Sequence, residues 1–188
     1  MKLTDAFIFS VLFLLPVCSI AQNNSANHKI SVEIPEVALL GLVSDGAADI
    51  YLNTLSPKVA GNSIDVSNAQ NNNIWINYSS IIAQKDHKRK IIAMIQGEIP
   101  KGVRLKLEAS EAFGSGKGIT GQSVGIVTLS NEPSDVILDI GSCYTGKGTN
   151  NGHYLTYKLE IEESATEYAQ LTGEQSSLIV IYTITDLN

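Results

Sequence analysis

The sequence is poor in the residues that build catalytic and metal sites. Its 188 residues include two cysteines, three histidines and one tryptophan, and charged residues make up only 17%, below the usual quarter. The histidines are scattered at positions 28, 87 and 153, so none has a second ligand at a spacing typical of metal sites. No pair of carboxylates and no Ser/His/Asp grouping stands out. We therefore expect no catalytic residues, no metal and no cofactor.

Long apolar runs are also scarce, and the one that is present lies at the start. Lys2 precedes an apolar stretch over residues 7–17, and small residues follow up to Ala21. This order is typical of a secretory signal peptide, and the stretch is shorter than the roughly 20 residues of a membrane span. We expect residues 1–21 to be a signal peptide. The protein would then act in the periplasm, at the cell surface or outside the cell.

The two cysteines fall on either side of that expected cleavage. Cys18 would leave with the signal, so Cys143 would have no partner for an intramolecular disulfide. Lipid attachment at Cys18 is disfavoured, because Val17 stands where a lipoprotein signal needs a small residue. Cys143 is then most simply a buried, inert thiol.

The mature part of the chain reads as β-strands almost throughout. Apolar and polar residues alternate over 103–108, over 155–161 and over 30–34, and this period of two predicts strands with one buried face. Further strands are expected at 37–43, 74–80, 90–96, 125–130, 135–140 and 177–186, the last as a central strand because both of its faces are apolar. Only residues 162–171 look helical. We expect residues 22–188 to form a single all-β domain, an antiparallel immunoglobulin-like β-sandwich of about eight to ten strands, with a closed barrel as the alternative.

Glycine-rich segments punctuate the strands and predict loops. One of them, residues 141–148, matches the start of a phosphate-binding loop, but Gly148 replaces the Ser or Thr that holds Mg²⁺, and a strand rather than a helix follows. We interpret it as a hairpin loop. Because Cys143 and His153 flank it, a thiolate–imidazole nucleophile is a further hypothesis.

Charge suggests which ligands to consider. The net charge of −6 argues against nucleic acid and against a broad attraction to anionic lipid. The only concentrated positive charge is at Lys85, Lys88, Arg89 and Lys90, in a polar link that we expect to be a hairpin tip. These residues, together with Trp75, are the candidate contacts for a glycan, although Trp75 is more simply a packing residue.

The signal peptide, the early strand HKISVEIPEVALL and the closing strand SLIVIYTITD resemble secreted bacterial β-sandwich subunits of the fimbrial and spore-coat-protein-U type. The end of the signal, Ala21-Gln22, also resembles exported proteins of Bacteroidetes. The resemblance implies a sandwich that accepts a strand from a neighbour, with residues 22–35 as the donor. It departs from fimbrial subunits in having no disulfide pair.

Three functions follow as expectations. The first is a non-catalytic, exported structural or surface protein, a fimbria-like or coat-like subunit with other protein subunits as partners. The second is a glycan-binding or adhesive module that uses Trp75 and the basic residues at 85–90. The third is an exported enzyme that depends on Cys143.

Overall fold

A computed structural model describes residues 25–47, 49–162 and 164–187. The chain divides into two units, residues 1–34 and 35–188. The expected signal peptide, residues 1–21, lies outside the described residues. In the first unit, residues 25–34 form neither helix nor strand, and their side chains are exposed.

The second unit is all-β. Its described residues form nine strands: β1 Val37–Ser44, β2 Gln70–Ile81, β3 Arg89–Gln96, β4 Val103–Ala109, β5 Lys117–Ser123, β6 Ile126–Thr128, β7 Ser134–Tyr144, β8 His153–Ile161 and β9 Ile179–Asp186. One short helix, α1 Ala165–Tyr168, begins after Ser164, whose hydroxyl accepts a hydrogen bond from the Glu167 amide. The expectation of an all-β chain with eight to ten strands is confirmed.

The strands pair antiparallel in the order β6-β4-β8-β2-β7-β3-β9, with β1 on the other side of β2 and β5 on the other side of β7. The ladder is not closed into a barrel, so the sandwich is confirmed and the barrel alternative is wrong. The strands form two layers, and the hydrogen-bond ladder crosses from one layer to the other between β2 and β7. Only two residue pairs, Ser79–Tyr144 and Ser80–Cys143, join these two strands. One layer holds β6, β4, β8, β2 and β1, and the other holds β5, β7, β3 and β9.

A single apolar core lies between the layers. Ile76, Ile91, Leu107, Ile137 and Leu155 are all fully buried within it, and they come from five different strands. Four of them alternate with more exposed neighbours along their strands, as the period of two predicts, whereas Ile137 follows the equally buried Val136. Because the same alternation is visible in the sequence, it predicted the positions of β4 and β8 along the chain correctly.

Two expectations about individual strands are wrong. Residues 30–34 alternate as a strand does, yet they form no strand. The closing strand β9 was expected to be central because it is apolar on both faces. Among the described strands it pairs only with β3, so it is an edge strand.

The expectations about connections also need correction. The link at residues 85–90 is not a hairpin tip, because β2 and β3 do not pair with each other. Residues 145–152 likewise join β7 to β8, which are not neighbours. The glycine-rich segment at 114–121, expected to be a loop, contains most of β5. The helix expected over 162–171 is reduced to a single turn.

Candidate functional site

The core is open along the edge formed by β1. Leu40 and Leu42 pair with Tyr78 and Ile76 of β2, which are buried, so the four side chains share the core-facing side of the layer. Leu42 nevertheless remains 48% exposed. A leucine that faces the core and is still half exposed marks a place where the described residues cover the core only in part.

The same opening runs along β9, which lies close to β1. Val180, Tyr182 and Ile184 pair with residues of β3 that are buried, so they too face the core, yet they are only partly buried. On the other face of β9, Ile179 is 61% exposed and Ile181 is 37% exposed. We call the strip between β1 and β9 the open edge.

The two strands of the open edge lack the features that usually protect edge strands. Neither VALLGLVS of β1 nor IVIYTITD of β9 contains Lys, Arg or Pro. In contrast, β6 is only three residues long, and β5 carries Lys117 and two glycines. Apart from Asp186 at the end of β9 the two strands are uncharged, and long, apolar, uncharged edges readily pair with a strand of another chain. The open edge is therefore the part of this fold best suited to strand addition.

A buried arginine fixes one end of the open edge. Arg89 is 4% exposed, and its guanidinium donates to Ser80 Oγ at 3.1 Å and to the Ile81 carbonyl at 3.3 Å. It also donates to the Val37 carbonyl and to the carboxylates of Glu36 and, at 3.2 Å, of Asp186. The planar fork of Arg suits such a set of acceptors. Arg89 thus holds together the start of β1, the end of β2 and the end of β9.

The burial of Arg89 removes it from the exposed glycan surface predicted from the sequence. Lys90 is also engaged, because its ammonium lies 2.9 Å from an oxygen of Asp135. Lys85 is exposed and Lys88 is half-buried. The structure therefore does not bring the four basic residues together as one binding patch.

Trp75 lies in a different place, on the outer face of the β2 layer. Its ring centroid is 5.6 Å from that of Tyr154 and 6.2 Å from that of Phe113, with the ring planes at 71° and 79°. Phe113 and Tyr154 are 5.8 Å apart and only 30° from parallel. We call these three residues the aromatic trio. Sequence reasoning missed Phe113 and Tyr154, because Tyr154 reaches Trp75 through the pairing of β2 with β8, and Phe113 through its backbone bridge to Gly152.

Tyr78, the other aromatic residue of the same strand segment, points into the core. Its hydroxyl has one proton and lies beside two acceptors, the Thr120 carbonyl and, at 2.8 Å, Nε2 of His153, while His153 Nδ1 lies 2.6 Å from the Ser110 carbonyl. Because a carbonyl can only accept, Nδ1 carries the proton, and the neutral ring presents a lone pair at Nε2. Burial lowers the pKa of His153 and raises the pKa of Tyr78.

Cys143 does not form the nucleophilic pair that its position in the sequence suggested. Burial raises the pKa of its thiol to about 11, so the thiol stays protonated near neutral pH. Nε2 of His153 faces Tyr78 rather than a sulfur atom. The structure places Cys143 and His153 in the same buried region without the contact that thiolate catalysis needs.

The glycine-rich loop after β7 is held by two asparagines. Asn77 accepts a hydrogen bond from the Gly148 amide at 2.9 Å and donates to the Asn151 carbonyl at 2.6 Å. The Asn151 side chain accepts from the amide and hydroxyl of Ser115 and donates to the carbonyls of Lys147 and Thr149. The Gly148 amide is thus already paired, and β8 follows the loop instead of the helix that a phosphate-binding loop needs.

Within the described ranges, no three His, Cys, Asp or Glu side chains are grouped so that they would hold a metal ion. No helix in the described part of the chain is both long and apolar enough to cross a bilayer. Comparison with protein families, with curated proteins and with solved structures finds no match to this chain.

Proposed function

We propose that this protein is a non-catalytic structural subunit that associates with other protein chains by strand addition at its open edge. The observation that carries the proposal is the partial exposure of core-facing side chains on β1 and β9, above all Leu42 at 48%. A strand inserted there would bury these side chains and pair the free backbone groups of an edge. The expected signal peptide makes this an exported assembly of the fimbrial or coat type.

The first unit of the chain offers a donor for such an exchange. Ile30, Val32 and Ile34 are 74%, 83% and 74% exposed, and as a strand they would lie on one face, about 6.6 Å apart. The core-facing residues of β1 and β9 also recur every second residue. The donor and the open edge therefore have the same spacing, and both are apolar.

The connection to β1 favours a donor that comes from another copy. Only Pro35 and Glu36 separate Ile34 from β1. A two-residue hairpin needs a positive φ at its first central position, whereas proline fixes φ near −65°. The segment therefore cannot fold back on its own β1 through a tight hairpin.

A non-catalytic role is supported by the chemistry around Cys143. A nucleophilic thiol needs a lowered pKa and a base within reach, whereas burial raises the pKa of this thiol to about 11. Thiol labelling of the native protein tests this part of the proposal. Rapid labelling of Cys143 without denaturant would count against it.

The test of assembly compares two substitutions on one strand. Leu42→Lys puts a charge on the core-facing side of the open edge, and Leu39→Lys puts the same charge on the outer side, where Leu39 is already 65% exposed. We expect Leu42→Lys to weaken self-association at least tenfold, and Leu39→Lys to change it less than about threefold. Analytical ultracentrifugation measures the association, and thermal melting checks that both variants fold.

Two results would count against assembly at the open edge. One is a protein that stays monomeric up to millimolar concentration. The other is an equal effect of both substitutions in folded variants, because the core-facing side would then have no special part in association.

A further inference from the structure

The aromatic trio has the composition of a ligand site rather than of a core. It lies on the outer face of the β2 layer, and Phe113 is 50% exposed while Trp75 and Tyr154 are partly buried. The indole stands nearly perpendicular to the other two rings, which are themselves nearly parallel. Exposed aromatic faces bind the C–H faces of sugar rings through burial of apolar surface and the charge distribution of the ring.

The trio also presents polar groups that no protein atom uses. Among the described residues, neither the indole N–H of Trp75 nor the hydroxyl of Tyr154 forms a hydrogen bond, and no described side chain buries an unpaired polar atom. Both groups therefore reach solvent. Apolar surface with a few free hydrogen-bonding groups beside it is the usual composition of a small-molecule site.

The backbone holds these rings in place before any ligand arrives. Trp75 and Tyr154 are direct partners in the pairing of β2 with β8. The Phe113 amide donates to the Gly152 carbonyl at 2.7 Å, and the Gly152 amide donates to the Phe113 carbonyl at 3.1 Å. The Tyr154 amide donates to Ser110 Oγ at 3.0 Å. A site fixed in this way loses little conformational entropy on binding.

The charges around the trio favour an uncharged ligand. Glu111, in the same loop as Phe113, is exposed, and the whole chain carries a net charge of −6. The basic residues at 85–90 lie beyond the far end of β2, and the six steps of extended strand from Trp75 to Ile81 span about 20 Å. An anionic sugar bound at the trio would therefore not reach the basic residues at 85–90.

From these observations we propose that the aromatic trio binds a neutral glycan, with a pyranose ring against Phe113 and with hydrogen bonds to the indole N–H and the Tyr154 hydroxyl. The trio lies on the outer face of the layer, whereas Leu40 and Leu42 of the open edge face the core, so binding at the trio does not require assembly. Of the glycan contacts predicted from the sequence, this site keeps Trp75 and leaves out the basic residues at 85–90.

The experiment uses the single tryptophan of the chain as a reporter in the site itself. The full chain is titrated with a panel of neutral oligosaccharides built from hexoses and N-acetylhexosamines, and the emission of Trp75 is followed. We expect a saturable change with at least one of them, and an affinity that is unchanged by 0.5 M NaCl.

Two substitutions then test the contacts. Phe113→Ala should weaken binding at least tenfold, and Tyr154→Phe, which removes only the hydroxyl, severalfold. Tyr51→Ala is the control, because Tyr51 is 71% exposed and belongs to no aromatic pair.

The proposal is overturned if no neutral oligosaccharide of the panel changes the emission or binds in calorimetry at millimolar concentration. It is equally overturned if binding is lost at high salt, or if Phe113→Ala and Tyr51→Ala behave alike in folded protein. Because association is measured separately by ultracentrifugation, failure of the glycan site leaves the proposed assembly untouched.

Discussion

His153 shows what a single buried residue contributes to this fold. It is fully buried, and its two ring nitrogens face the Ser110 carbonyl and the Tyr78 hydroxyl. The residues concerned come from β2, from β8 and from the segment after β4. The imidazole therefore joins parts of the structure that are far apart in sequence, and in its neutral form it does so without burying a charge.

The lowered pKa of His153 predicts how stability depends on pH. Desolvation lowers the pKa, and the carbonyls of Ser110 and Thr120 oppose that effect only in part. The unfolded chain therefore binds more protons as the pH falls through about 6.5, and the folded state loses stability. We expect the free energy of unfolding to be highest above pH 7 and to fall by up to about 1.4 kcal/mol per pH unit between about pH 6.5 and 5.5.

Urea unfolding at a series of pH values measures this effect. His153→Gln is the comparison, since it removes the titrating group. Its unfolding free energy should be lower at neutral pH, and it should vary less over the same pH range. An equally steep decline in the variant would show that other groups cause the pH dependence.

At the scale of elements, β2 and β8 determine where the aromatic trio lies. They can approach closely because Gly152 stands at their junction with a φ of +77°, a conformation that L side chains rarely adopt. A Cβ at this position would also collide with the Ile76 carbonyl of β2. The glycine thus permits both the strand pairing and the backbone bonds to Phe113.

Gly152→Ala should therefore destabilise the protein strongly. We expect a loss of about 2–4 kcal/mol, because the methyl group adds steric collision to an unfavourable φ. Gly173→Ala is the matched control, since a Cβ there has no atom within 4 Å. Urea denaturation compares the two variants. Equal stabilities would contradict the close approach of β2 and β8 at this point.

At the scale of the whole molecule, the proposed donor and acceptor surfaces are different parts of the chain. An interface between two different surfaces continues from copy to copy unless the rotation closes a ring. Where the copies do not close a ring, the proposed assembly is a head-to-tail series whose length rises with concentration.

Mixing two variants tests this geometry. Val32→Lys disables the donor and leaves the open edge intact, whereas Leu42→Lys disables the open edge and leaves the donor intact. We expect each variant alone to be monomeric, and the mixture to form a one-to-one dimer that grows no further, as native mass spectrometry would show. Ser31→Lys, with the same charge on the opposite face of the donor, should still assemble into longer series.

The outcomes answer two questions separately: whether copies of the chain associate at the open edge, and whether residues 30–34 supply the added strand. If Val32→Lys assembles like the unaltered chain while Leu42→Lys does not, the open edge accepts a strand from somewhere other than residues 30–34. If the mixture forms no dimer, head-to-tail exchange between copies is wrong.

How far the sequence could predict this structure depends on the range of each interaction. The alternation over Val103–Glu108 and Leu155–Ile161 is local, and it places β4 and β8 correctly. The strand β5 could not be predicted, because a glycine-rich segment is typical of a loop. Its pairing with β7 makes it a strand, and β7 is not adjacent to it in sequence. For residues 30–34 the opposite holds, since they have the pattern of a strand but pair with no strand among the described residues.

The candidate sites also combine residues that the sequence indicates with residues that only the fold brings together. Trp75 could be singled out from the sequence, but its companions Phe113 and Tyr154 could not, because they meet it only through strand pairing. Arg89 looked like part of a charged surface cluster. Only the folded chain brings Val37, Ser80 and Asp186 around it and buries it.

The sequence by itself determined that this chain is built of antiparallel strands, because the alternation of apolar and polar residues and the turn signals act over a few neighbouring residues. The tertiary structure alone decided which strands became edges, and therefore that β1 and β9 leave part of the core open. Strand order depends on contacts between residues far apart in sequence, and no local pattern records them.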